Sequence, residues 1–161
     1  MLLELILPIS IGLAFVAYGL IARWYVMPRL LALTRANALT PLLLFHSFRF
    51  IGLAFLITGV TSEALDPRFA EPAAYGDLLA AVLALVAILA LRKAWRLAIV
   101  LVWIFNVEGT LDLINAVARG LRYTQDGQMG ATYFIPAVVV PALLVSHVLI
   151  FILLLRRQEA G

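Results

Sequence analysis

The chain has no cysteine, only two histidines, and few charges for its 161 residues. Without thiols, disulfides, cysteine-ligated metal clusters and thiol catalysis are excluded, and the redox compartment is left open. Asp, Glu, Lys and Arg make up 13% of the residues, about half the share of a soluble domain. The sequence shows no glycine-rich phosphate loop, nucleophile elbow or metalloprotease motif. It also shows no internal repeat and no low-complexity segment. Met1-Leu2-Leu3-Glu4 lacks the basic opening of a secretory leader, so the first apolar block is expected to stay as a span.

Apolar sequence is what the chain has in excess. Hydrophobic residues account for 65% of it, with a mean hydropathy of +1.07. They come in blocks of about 20 residues, the thickness of a bilayer core. The expected fold is all-α, a polytopic integral membrane bundle forming one domain over residues 1–161. Five transmembrane helices are predicted at about 2–24, 41–60, 73–91, 97–118 and 131–155. Residues 27–40 interleave Leu30, Leu31, Leu33 and Leu39 with Arg29, Arg35 and Asn37, between Pro28 and Pro41. That pattern predicts a short helix lying on the cytoplasmic surface.

The net charge of +3 is not a nucleic-acid signature, because the basic residues sit mostly at block ends. Arg23, Arg29, Arg35, Arg92, Lys93, Arg96, Arg156 and Arg157 fall on one side, and only Arg68, Arg119 and Arg122 on the other. The positive-inside rule then places the N-terminus outside and the C-terminus in the cytoplasm. The expected location is the inner (plasma) membrane of a prokaryote. Membrane lipids are the expected surroundings, a homo-oligomer stays open, and no nucleic-acid partner is expected. Asp126-Gly127 marks a turn before the last span.

Against this background the polar residues inside the blocks stand out. Glu108, Asp112, Asn115 and Arg119 recur at i, i+4, i+7 and i+11, one face of an α-helix. Asp77 lies in the third block beside a small-residue stripe of Gly76, Ala80, Ala84 and Ala87, the usual surface for close helix packing. His46 and Arg49 lie on one side of the second block, Asn106 in the fourth, and His147 in the fifth. At a rise of about 1.5 Å per residue, His46, Arg49, Asn106 and His147 fall at roughly 8 to 14 Å from the cytoplasmic ends. Asp77 and Asp112 fall at roughly 21 to 23 Å, with Glu108 near the midplane.

Ionisable groups at such depths are costly and mark sites or pathways. Glu108 and Asp112 stand one turn apart in poorly solvated surroundings, so the pair is expected to hold a proton. An intramembrane acid catalyst or proton carrier needs that property. These residues predict a polar chamber that binds, or acts by acid–base chemistry on, a lipid-soluble small molecule. Glu108, Asp112, Asp77 and Arg49 are the candidate catalytic groups, and His46, His147, Asn106 and Asn115 the candidate ligand contacts. A proton or ion conduit would use the same residues. A third reading has His46 and His147 ligating a haem, or serving a quinone redox module, with Arg49 or Arg156 for propionates and Gly52 beside the macrocycle. The structural alternative is a clamp in which Arg49 neutralises Glu108, and each histidine bonds a neighbour such as Ser47 or Ser146. No metal site is expected, since the histidines lack third and fourth ligands. Whether the chain is an enzyme, and with what cofactor, stays open.

Overall fold

The computed structural model of the protein describes residues 2–125 and 127–156, with the side chains of residues 2–4 left aside. Asp126 of the turn signal, Arg157 of the basic set and the Met1 to Glu4 side chains lie outside the described residues. The fold is all-α, and among the described residues five helices are long and apolar enough to cross a membrane. They are α1 (Leu5–Leu31), α2 (Arg35–Leu56), α3 (Pro67–Arg92), α4 (Ala98–Tyr123) and α5 (Gly130–Leu155). Helical backbone already begins at Leu2.

Several helices begin earlier or end later than their apolar blocks. The stretch 27–40 is divided between two of them. Met27–Leu31 continues α1, while Thr34 caps the start of α2 by accepting from the Asn37 N–H. Pro41 therefore falls inside α2 rather than opening it. α3 starts at Pro67, six residues ahead of its block, because Asp66 is a good N-cap and proline suits the first helical position. The Asp66 carboxylate accepts from the Arg68 N–H at 2.8 Å.

Proline also explains two widened turns. A proline has no N–H, and its ring presses on the carbonyl four residues back. Just before Pro28, the Met27 N–H reaches Ala22 O; just before Pro141, the Val140 N–H reaches Ile135 O. Both are i to i−5 bonds, so each proline is accommodated by a π-turn over 22–26 or 135–139.

α3 packs against both α2 and α4, while α1 packs against α5. The buried face of α3 includes Ala70, Ala73, Ala74, Ala80, Ala81, Ala84, Ala87 and Ala90, and these small side chains let its neighbours approach closely. The interior has two apolar clusters. One gathers Leu39, Leu43, Ala84, Val102, Phe105 and Ile150, and the other Phe55, Leu65, Phe69, Ala73, Ala74 and Ile135. Arg156 donates to Leu31 O at 2.8 Å and Arg35 donates to Arg156 O, so both join one end of the bundle. At the other end the Ala131 N–H bonds Val60 O at 2.9 Å and the Ser62 N–H bonds Gln128 O at 3.0 Å. Trp24, Leu13 and Val16 of α1 and Leu111 and Ile114 of α4 are exposed. That is the pattern of helices surrounded by lipid.

Candidate functional site

Arg49 is the largest fully buried side chain among the described residues. It sits where α2 tightens from an α-helix into nine residues of 3-10 helix, Phe48–Leu56. Runs of 3-10 helix this long are uncommon, and a period of three aligns residues that an α-helix would stagger. Arg49, Gly52 and Phe55 thus form one buried line facing α3.

The guanidinium bridges three helices. Its Nε donates to Asp77 Oδ1 at 2.7 Å, its Nη2 to Asp112 Oδ2 at 2.6 Å, and its Nη1 to the Gly109 carbonyl at 3.2 Å. The two aspartate side chains are only 10% and 11% exposed. Three glycines make the approach possible. A Cβ on Gly52 would overlap the Asp77 carboxylate, and one on Gly76 would overlap that of Asp112. A Cβ on Gly109 would stand 2.8 Å from Arg49 Nη1 and 3.0 Å from His147 Nε2.

Beside the guanidinium, on the same side of Gly109, lies His147, with His46 against it. Asn106 and His147 are bonded twice: Asn106 Oδ1 lies 2.7 Å from His147 Nδ1, and Asn106 Nδ2 donates to His147 O at 3.3 Å. His46 Nε2 meets Ser146 Oγ at 3.1 Å. The two imidazoles touch, with ring centroids 4.2 Å apart and planes at 44°. Phe105 covers both, at 5.1 Å from His46 and 5.4 Å from His147. Among the described residues, three buried side-chain polar atoms have no hydrogen-bond partner: His46 Nδ1, His147 Nε2 and Glu108 Oε2.

Of the eight candidate residues, the fold gathers Arg49, Asp77 and Asp112 into one bonded group and His46, Asn106 and His147 into a second, the two adjoining at Gly109. Glu108 flanks the first, one turn from Asp112 and partly buried. Asn115 stands apart: it is exposed, and its Oδ1 accepts from Arg119 Nε at 3.1 Å. The clamp of Arg49 on Glu108 is corrected, because Arg49 pairs with Asp77 and Asp112 instead. Asp112 lies closer to the centre of the buried face of α4, beside Gly109 and Leu113, so it meets the guanidinium first. The bis-histidine haem is corrected as well. A porphyrin needs its two imidazoles on opposite faces of a plane, and these are in ring contact under Phe105. Among the described residues no three His, Asp or Glu side chains converge on a metal-sized point.

The glycines are what reading the sequence for ionisable groups misses. Gly76 directly precedes Asp77 and Gly109 directly follows Glu108. A glycine adjoining an acid inside an apolar block is the available signal for close approach to a charged group.

Residues 6–155 match the family described as Domain of unknown function (DUF8737), and the chain belongs to that family. No curated protein and no solved structure matches it.

Proposed function

We propose that the protein is an integral membrane protein that binds a lipid-soluble small molecule at the Arg49 cluster and engages it by acid–base contacts. One observation carries this reading. A single guanidinium faces Asp77 and Asp112, while a third carboxyl, Glu108, lies one turn away with a buried oxygen that nothing satisfies. A clamp built only for stability would match one cation to its anions and leave no buried acceptor free, since such an atom is costly. A surplus of acceptors in an apolar bundle suits a molecule that brings a proton or a polar hydrogen with it.

In this reading the N-terminus lies outside and the basic ends of the helices face the cytoplasm, in the plasma membrane of a prokaryote. Glu108 lies near the middle of the 26-residue helix α4, among the exposed apolar residues Ile104, Val107 and Leu111. A ligand arriving through the bilayer would meet Glu108 and Asp112 from the side. Asp77 and Arg49 would hold the charge balance from within. Native mass spectrometry of gently purified protein tests the proposal. The expected result is a co-purified non-protein mass that is lost in Glu108→Gln and Asp112→Asn. Bare protein in every preparation would remove it.

A second reading is favoured by the contact between His46 and His147, which extends the polar groups from the Arg49 cluster toward Ser146. Such a row suits a proton conduit. Proteoliposomes that show no proton flux under a pH gradient would dismiss it.

A further inference from the structure

Asn106 and His147 carry an inference that rests on the ligand-binding reading and narrows it. Both are buried, at 0% and 1% exposure, and they meet at two points. The His147 carbonyl is only an acceptor, so the amide atom facing it at 3.3 Å must be the Asn106 NH2 group. The other amide atom is then the carbonyl oxygen, which can only accept. It lies 2.7 Å from His147 Nδ1, so that nitrogen carries the hydrogen. Turning the amide over would set two carbonyl oxygens against each other. Neutral His147 is therefore held as its Nδ1–H tautomer, and its Nε2 is a bare lone pair.

That lone pair is one of the buried atoms without a partner. It converges with Arg49 Nη1 on the same side of Gly109, since both lie within 2.8 to 3.0 Å of the point a Cβ would occupy there. The guanidinium offers only donors and the imidazole only an acceptor. A hydroxyl group satisfies both at once, donating its hydrogen to Nε2 and accepting from the guanidinium. A carbonyl or ether oxygen would leave the imidazole unsatisfied, and an ammonium group would be repelled by Arg49.

We infer that the ligand is a hydroxyl-bearing lipid-soluble molecule, an alcohol or phenol, whose O–H is accepted by His147 Nε2, with Asn106 the positioning residue that fixes the acceptor tautomer. Because the chain has only two histidines, ¹⁵N NMR of histidine-labelled protein in lipid nanodiscs reads both rings, and His46→Gln assigns them. The expected wild-type spectrum has a protonated Nδ1 and a non-protonated Nε2 for His147. Asn106→Leu should abolish that preference, whereas a merely structural asparagine would leave the tautomer unchanged. Adding geranylgeraniol as a probe should move the Nε2 resonance toward the hydrogen-bonded range, and its methyl ether should not. A protonated Nε2 in the wild type would overturn the inference while leaving the acid-cluster reading to its own mass-spectrometric test. An identical response to alcohol and ether would overturn the hydroxyl assignment.

Discussion

Arg49 shows how a single residue decides this interior. Three of its five N–H donors are used, on two carboxylates and one carbonyl. Replacing it leaves buried carboxylates with no counter-charge, so Arg49→Met is expected to cost about 3 to 5 kcal/mol. Denaturant unfolding in detergent micelles measures this, and a change within experimental error would refute the bridging role. The glycines give a second residue-scale expectation. Gly76→Ala forces the Asp112 carboxylate aside and is expected to destabilise by about 1 to 3 kcal/mol. Gly12→Ala, also within a helix but with nothing near its added Cβ, is the control without a clash and should not destabilise. The ionisable residues were legible in the sequence because a charge inside an apolar block has no other ready explanation. Their pairing was not. Asp77 and Asp112 reach Arg49 through the close approach at Gly52 and Gly76, and Glu108 is left aside by its angle around α4. Spacing in the sequence does not give that angle relative to a neighbouring helix.

At the level of the helix, apolar block length set the number of spans, while capping and proline chemistry set their ends. The block of α3 begins at residue 73, yet the Asp66-Pro67 pair starts the helix six residues sooner. The Asp66 carboxylate accepts from the Arg68 side chain and backbone, which holds its pKa below the ordinary aspartate value. The lowered folded-state pKa means the cap stabilises fully above the unfolded aspartate range and loses strength as pH falls through the folded value. Hydrogen exchange at Arg68, corrected for intrinsic rates, should therefore be faster at pH 3 than at pH 6. Equal protection would show that the side-chain cap contributes nothing. The turn from α3 to α4 offers a test of opposite sign. Ala94 holds a left-handed φ of 51°, and the Trp95 N–H closes on Ala90 O at 3.0 Å, an arrangement that favours glycine. Ala94→Gly is expected to stabilise the protein by about 1 kcal/mol in the same unfolding assay. The 3-10 stretch after Phe48 has no comparable signal, since no proline or capping residue marks its start. Its cause lies in tertiary contact, in the alignment of Arg49, Gly52 and Phe55 against α3.

Over the whole molecule, two adjoining polar groups from α2, α3, α4 and α5 make one polar centre inside an otherwise apolar bundle. Such a centre either holds helices together or binds something, and the two roles make different demands on charge. A purely structural group can be replaced by neutral residues of similar volume with little effect on the fold. A binding group loses its ligand in the same replacement. The combined variant Arg49→Met, Asp77→Asn, Asp112→Asn separates the two, measured by unfolding and by native mass spectrometry on one preparation. The triple variant is expected to recover most of the stability lost in Arg49→Met alone and to carry no co-purified molecule. A folded triple variant that keeps the wild-type ligand at wild-type occupancy would contradict the binding role.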